Sequence, residues 1–391
     1  MKIVIVGWYG TETIGDRAIL AGILKSISKG TSKFDIELGC LYPFYSQRMI
    51  VEDQAFFNEL TEGKLNKISI FDSKDVGALR KKIDTSDAVM IGGGPLMDLP
   101  ELNMLEYSFH YAKKRKKSRI VCGCGVGPLY EKKNRKTVAN IIENADLTIL
   151  RDEASKSFLS EIALEFKSDI NLKNVLVNFD PAVNCTIGYL NGLLKANAFY
   201  ERNEYIAVNL RSFPREYSAK ETGRDINQEL SSFVKDLSEQ YKEKKIILVP
   251  MHYFHVGSDD RVFLNEVKNS ISNDNVIVHN APLSLKETIC LFENASFCIG
   301  MRFHSVVIQT ICSGKNYILD YTEPKKGKIF GFTRDIDSTG FYDKRYICLQ
   351  NQKPKLDLFD LSNYDIANEI CLDAISNIME EYSSKIMGVI N

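Results

Sequence analysis

Lys2-Ile3-Val4-Ile5-Val6-Gly7-Trp8-Tyr9-Gly10-Thr11-Glu12-Thr13-Ile14-Gly15-Asp16 decides the fold. Ile3 to Val6 put apolar side chains on both faces, so residues 2–6 read as a strand buried on both sides. A Gly-rich loop, 7–16, leads into a helix, 17–28, with Ile19, Leu20, Ile23, Leu24 and Ile27 on one face. A fully buried strand followed directly by a helix is the opening of a parallel sheet with helices packed over it.

The same pattern recurs along the chain. Strands are expected at 36–41, 87–91, 119–122, 147–150 and 175–178, and two of them run into the turns Gly92-Gly93-Gly94-Pro95 and Gly123-Cys124-Gly125-Val126-Gly127-Pro128. After a linker at 190–203, strands at 205–210, 245–249, 275–279, 297–299 and 317–320 alternate with helices at 226–243, 261–271 and 286–292. At 391 residues the chain exceeds one ordinary core, so the class is α/β with two Rossmann-like lobes. Ligands then belong at the carboxyl ends of the strands, where the Gly-rich and Arg-bearing turns fall.

Composition limits the partners. Hydrophobic residues are 44%, charged residues 26% and the formal net charge -1, so no global field favours nucleic acid and any anion must be held locally. The apolar run after Met1-Lys2 is too short for a signal-peptide core or a membrane span, and the expected location is the cytoplasm. There the nine cysteines, which form no CxxC pair, are expected to stay reduced. Lys113-Lys114-Arg115-Lys116-Lys117 reads first as a solvated helix end and second as a contact for anionic headgroups, which leaves peripheral membrane contact open. The apolar spacing at 364–387 reads first as a closing amphipathic helix and second as a surface anchor.

Ile299-Gly300-Met301-Arg302-Phe303-His304-Ser305-Val306 ends a strand and opens an apolar helix. The first N–H groups of a helix lack partners and carry partial positive charge, so Arg302 and His304 there make a prepared phosphate or carboxylate site. Arg211, at the end of the strand containing Val208-Asn209-Leu210, offers a bidentate fork to the same anion. Lys325 and Lys326, after Tyr321-Thr322-Glu323-Pro324, either reach that anion or remain exposed. His252 is placed to line a cleft, and its spacing to His255 lacks a third ligand in phase, so no metal site is expected. In the first lobe, Asp16 suits a sugar hydroxyl, base chemistry or a helix N-cap. Gly93 and Gly94 suit either an amide nest or a tight turn, and Arg151 either an anion or its neighbours Asp152 and Glu153.

In their order these motifs resemble the polysaccharide pyruvyl transferase family. The resemblance runs from the first strand to about Phe332, through Gly7-x-Tyr9-Gly10-x-x-x-x-Gly15-Asp16, Gly92-Gly93-Gly94, Gly123-x-Gly125-x-Gly127-Pro128, Arg151-Asp152-Glu153, Asp180-Pro181-Ala182, Pro250-Met251-His252, Arg302-Phe303-His304-Ser305 and Tyr321-x-x-Pro324-Lys325. It implies a GT-B-like fold with an interlobe active-site cleft: an acceptor-side lobe at 1–189, a donor-side lobe at 204–350, and a C-terminal helix at 363–391 packing back on the first lobe. It also implies transfer of pyruvate from phosphoenolpyruvate to two hydroxyls of a sugar in a cell-surface or extracellular polysaccharide precursor. The product is a cyclic ketal, phosphate is released, and no cofactor is needed.

By position, the resemblance carries the family's functional positions onto Asp16, Arg151, Arg302, His304 and Lys325, with Arg211 a donor contact; His304, Asp16 and Arg151 are read as catalytic, and Arg302, Arg211, Lys325, Gly93, Gly94 and His252 as substrate-binding. Thr13 and Arg17 stand where the family commonly has Asn and Glu, and Phe303 where it commonly has Leu. His304 is expected to touch the donor phosphate and act as general acid, and Asp16 to serve the acceptor. Acceptor choice is assigned to loops at 42–67 and 214–224, with lipid-linked, nucleotide-linked and free acceptors all open, as is the oligomeric state. Two other readings remain: a GT-B glycosyltransferase using a nucleotide sugar, and a noncatalytic glycan or phosphate-binding protein.

Overall fold

The computed structural model describes residues 1–192, 195–214, 223–254, 256, 258–337, 340–355 and 370–391. It divides into two compact units, Met1–Glu12 with Asp16–Gly192 and Asp373–Asn391, and Thr13–Gly15 with Leu193–Leu372.

The first unit is built on a seven-stranded parallel sheet of β1 (Lys2–Val6), β2 (Phe34–Cys40), β3 (Leu65–Asp72), β4 (Ala88–Ile91), β5 (Ser118–Cys124), β6 (Leu147–Leu150) and β7 (Val175–Val177), in the order β3-β2-β1-β4-β5-β6-β7. The crossover helices are α1 (Ile14–Ser28), α2 (Pro43–Leu60), α3 (Val76–Asp84), α4 (Leu102–Lys114), α5 (Lys132–Glu143), α6 (Glu153–Phe166) and α7 (Pro181–Asn191). Strand alternation sorts the core into two layers. Val4, Val6, Val89, Ile91 and Val121 join Leu79, Leu105, Phe109, Ile141 and Leu159 of α3–α6 in one buried cluster, while Ile3 and Ile5, equally buried, point to the opposite face. On that opposite face α7 is pinned to α1, with Asn184 Nδ2 donating to Gly22 O at 3.3 Å and to Ser26 Oγ at 2.8 Å.

The second unit repeats the topology with β8 (Tyr205–Asn209), β9 (Lys245–Leu248), β10 (Val276–Val278), β11 (Phe297–Gly300), β12 (Asn316–Asp320) and β13 (Tyr346–Cys348), in the parallel order β10-β9-β8-β11-β12-β13. Its helices are α8 (Ile226–Gln240), α9 (Asp260–Asn269), α10 (Leu285–Asn294), α11 (Phe303–Cys312) and α12 (Lys328–Ile336). Both sheets have the Rossmann-like order, in which the chain builds outward from one strand to one side and then to the other. The carboxyl ends of β1 and β4, and of β8 and β11, therefore flank the points where strand order reverses, and these are the ligand-binding positions of such sheets.

α13 (Leu372–Ile390) follows the second unit in sequence and packs within the first. Ile375, Met379, Tyr382 and Ile386 are buried, the Tyr382 hydroxyl and Cys122 thiol are hydrogen-bonded at 2.8 Å, and Ser118 Oγ donates to Val389 O at 2.9 Å. The expected start of this helix, at 363, falls among 356–369, outside the described residues, as does much of the 214–224 loop. No helix among the described residues is long and apolar enough to cross a membrane.

Two expectations need correction, and two strands were missed. α1 begins at Ile14 rather than at 17. Residues 42–67 are not a loop: they hold α2, opened by Pro43 in its first turn, and the start of β3. β3 and β13 escaped the sequence reading because each lies at a sheet edge, where half-buried strands carry polar residues such as Asn66, Lys67 and Ser69.

Candidate functional site

In the second unit the turns after β8 and β11 carry Arg211 and Arg302. Asn209, the fully buried last residue of β8, ties the strand ends together. Its Oδ1 accepts from Arg302 N at 3.0 Å and from Ser305 Oγ at 2.8 Å, and its Nδ2 donates to Val249 O at 2.9 Å. Arg302 is the N-cap of α11, with extended φ and ψ of -73° and 143° and no side-chain cap bond. The helix start is thus fixed by backbone and amide contacts rather than by a capping hydroxyl.

The Arg302 guanidinium is engaged within the unit. Nε donates to both oxygens of Asp260, at 3.0 and 2.7 Å, and Nη2 to Oδ1 at 2.5 Å. Burial opposes the charge on Arg302, and the carboxylate beside it prevails, holding the guanidinium above its usual range. Asp260 Oδ2 also accepts from the backbone N–H groups of Met251 and His252 at 3.0 and 3.1 Å, and Asp260 N donates to His252 O at 3.0 Å. Arg302 and Asp260 therefore lock the Pro250-Met251-His252 turn to the Arg302-Phe303-His304 turn. Asp260 was not singled out from sequence because Asp259-Asp260 at a helix start looks like ordinary capping. Asp259 does cap α9, accepting from Arg261 N at 3.0 Å, which leaves its neighbour for this inward contact.

Arg211 is placed differently. Its Nε donates to Ser212 O at 3.3 Å, its guanidinium carbon lies 5.4 Å from the centroid of the Tyr321 ring, and among the described residues no carboxylate lies within ion-pair reach of it. Burial, and then the charge of Arg302, push its pKa down. Tyr321, 4% exposed, reports the same excess of positive charge: burial alone would raise its phenol, yet Lys328, Arg211 and Arg302 together bring it below the usual value. Lys328, the first residue of α12, has its Nζ 5.7 Å from the Phe303 ring centroid. The Phe303 ring in turn meets the His304 imidazole edge-on at 4.9 Å. Arg211, Arg302, Phe303, His304, Tyr321 and Lys328 are thus grouped at the carboxyl edge of this sheet.

Lys325 is exposed, has a left-handed backbone with φ 61°, and lines a cavity of about 230 Å³ with Phe330, Arg334 and Tyr346. Lys326 is exposed and 3.6 Å from Glu323. His252 is buried, pairs with Thr13 in an antiparallel bridge, and sits beside Met251, whose carbonyl accepts from Ile14 N at 3.0 Å. His255, its spacing partner, lies outside the described residues.

In the first unit, Gly93 and Gly94 have φ of 96° and 94°. A Cβ on Gly93 would lie 2.9 Å from the Tyr9 ring, and one on Gly94 2.5 Å from Trp8, so close packing alone requires these glycines. Asp16 accepts from Thr11 Oγ1 at 3.0 Å and lies in the first turn of α1, where its charge faces the helix N-terminus. Because the helix begins two residues earlier, Asp16 is not its N-cap. Arg151, 4% exposed, lies between Asp152 at 3.4 Å and Asp180 at 3.5 Å. Those two carboxylates also cap α6 and α7, accepting from Ser155 N and Ala182 N. The charge of Arg151 is thus balanced inside the fold.

Arg17, where the resembled family commonly has Glu, is 2% exposed and meets Glu52 at 2.7 Å, Asp53 at 3.3 Å and Glu12 at 3.7 Å. Glu12 also pairs with Arg48 at 2.9 Å. The basic run is partly engaged in the unit, with Lys113 bound to Asn144 at 2.9 Å and Lys117 to Ser86 O at 2.6 Å.

Two Rossmann-like units, the second with a cationic strand edge, define a GT-B-like protein. Solved structures agree on the fold. A putative UDP-N-acetylglucosamine 2-epimerase from Listeria monocytogenes aligns with a TM-score of 0.56 at 12% identity, over 98% of this chain and 90% of that one. MnaA of S. aureus with UDP aligns at 0.57 and 12% over the same shares, and a glycosyltransferase from Rickettsia africae at 0.53 and 13%, over 100% and 98%. No curated protein matches the sequence. The model of the polysaccharide pyruvyl transferase family matches residues 14–312, and the chain belongs to that family of transferases.

Proposed function

We propose that the protein transfers pyruvate from phosphoenolpyruvate to two hydroxyls of a saccharide, forming a cyclic ketal and releasing phosphate. Family membership supports pyruvyl transfer to a saccharide. The observation that carries the donor assignment is Arg211, a partly buried guanidinium at the reversal point of the second sheet with no ion-paired carboxylate among the described residues. Such a cation calls for a ligand anion, and phosphoenolpyruvate brings a carboxylate and a phosphate.

The chemistry balances within the two substrates. Both sugar hydroxyl oxygens bond to the former enol carbon, one hydroxyl proton ends on the methylene carbon, which becomes methyl, and the other leaves with phosphate. His304 delivers the proton to the methylene and meets the donor phosphate, while Asp16, on the first unit, takes the proton of an acceptor hydroxyl. Arg302, held by Asp260, is assigned to the donor. Arg151 is proposed as a further catalytic residue, and Lys325, His252, Gly93 and Gly94 as further substrate contacts. The reading includes a cytoplasmic location, with a lipid-linked precursor as one acceptor to be tried.

The deciding experiment measures phosphate release from phosphoenolpyruvate with cell-derived saccharide acceptors, beside parallel reactions with nucleotide sugars. Release that needs acceptor and falls at least a hundredfold in His304→Gln supports the reading. Near-normal turnover in that variant removes His304 as the acid, and release of nucleoside diphosphate instead makes the protein a glycosyltransferase.

A further inference from the structure

Thr13, Ile14 and Gly15 belong to the second unit, although the residues on either side of them belong to the first. Two backbone contacts hold the segment there: Thr13 bridges to His252, and Ile14 N donates to Met251 O at 3.0 Å. The third residue meets His304 itself. A Cβ on Gly15 would lie 2.0 Å from Nδ1 of His304, 2.6 Å from Cγ and 2.8 Å from Cε1. Each distance is shorter than a side-chain carbon tolerates, so the imidazole occupies the space that any side chain at 15 would need. Phe303 closes the ring in from another side, edge-on at 4.9 Å. The backbone gives no other reason for glycine here: Gly15 is the second residue of α1 and its φ is not positive, so alanine would be the better helix former.

We propose that Gly15 is a positioning residue for His304, its missing side chain being the socket in which the imidazole is seated. A group that delivers a proton to one carbon must be held closely in place, and misplacement by about 1 Å costs on the order of a hundredfold in rate. Packing on two sides supplies that restraint, with the bare backbone of Gly15 on one and the Phe303 ring on the other. Gly15 also leads directly into Asp16, so one short segment seats the proposed acid and carries the proposed base. The part of Gly15 in turnover rests on the pyruvyl-transfer reading, whereas the seating of the ring does not.

The test is Gly15→Ala in the full chain, read by kcat and KM for phosphoenolpyruvate and by the imidazole Cε1–Hε1 NMR signal of His304, assigned by its loss in His304→Gln. Gly15→Ala is expected to move that signal and to lower kcat by about a hundredfold, a larger factor than any rise in KM. With the ring removed, the same methyl has room. Gly15→Ala added to His304→Ala is therefore expected to melt at or above the midpoint of His304→Ala alone and to cost no further turnover. Gly388→Ala, in α13 with nothing within 4 Å of the added carbon, is the control and is expected to leave signal and turnover unchanged. Wild-type turnover in Gly15→Ala overturns the proposal. So does a double variant that melts below His304→Ala, because the methyl would then meet something other than the ring; this comparison holds even where the single variant fails to fold. A wild-type protein that does not turn over phosphoenolpyruvate, but whose His304 signal Gly15→Ala still moves, upholds the seating and removes the pyruvyl-transfer reading alone.

Discussion

Asp260 and Arg302, 42 residues apart in sequence, meet through two-pronged hydrogen bonds that join the turn after β9 to the turn after β11. Asp260 is 3% exposed, so the pair sits largely out of water. Asp260→Ala leaves a desolvated guanidinium with no counter-charge and two backbone N–H groups without their acceptor. A loss of about 3–5 kcal/mol is expected, read by urea unfolding. Asp260→Asn, which keeps one acceptor oxygen, is expected to lose less.

Gly327→Ala tests the turn that sets Lys328. Its φ of -71° is open to any residue, so the effect is purely steric, the new methyl colliding with Thr322. Overpacking of this kind costs about 1–3 kcal/mol. Urea unfolding reads the loss.

Lys25 makes stability depend on pH on the alkaline side. Burial lowers its pKa to about 8, and its Nζ donates to Asn184 O at 3.2 Å. Below that pH the lysine is protonated in both folded and unfolded chains, and the full desolvation cost is present. Between about 8 and the unfolded value near 10.5 the unfolded chain binds more protons, so stability rises with pH. The gain amounts to roughly 3 kcal/mol over that window. Lys25→Met is expected to remove the rise and to be the more stable protein at pH 7, measured as the wild-type minus variant difference in urea unfolding from pH 7 to 10.5.

Arg17→Glu restores the residue that the family commonly has and is expected to destabilise this chain. The new carboxylate would face Glu12, Glu52 and Asp53 with its cation gone. A loss of about 3–5 kcal/mol follows from leaving buried acids uncompensated, and thermal unfolding reads it. Adding Glu12→Gln and Asp53→Asn is expected to return part of the loss.

The fold was legible because its inner strands, such as Lys2–Val6 and Leu147–Leu150, are apolar on both faces and end in glycine or charge. The edge strand Leu65–Asp72 was not, since one side of an edge strand can be polar without cost. The positions of Arg302 and Arg211 just beyond strands, and of His304 at a helix start, were legible. Asp260 was hidden by its resemblance to a cap, and Lys328 by its place after Lys325 and Lys326 in a run of loop lysines. Sequence spacing along a loop does not reveal which lysine turns inward. That depends on where the helix starts, and here Gly327 sets it.

The first unit is discontinuous in sequence, and this has a consequence for synthesis on the ribosome. α13 covers the face of β5 through Tyr382 and Ser118, and Gly30 is packed closely against Met387. The first unit cannot be complete until 373–391 have been made. Until then Cys122 lacks the Tyr382 hydroxyl as its partner, and Ser118 Oγ lacks Val389 O. A nascent chain stalled before 373 therefore leaves the first unit without its closing helix, whose Ile375, Met379, Tyr382 and Ile386 are buried in the complete fold.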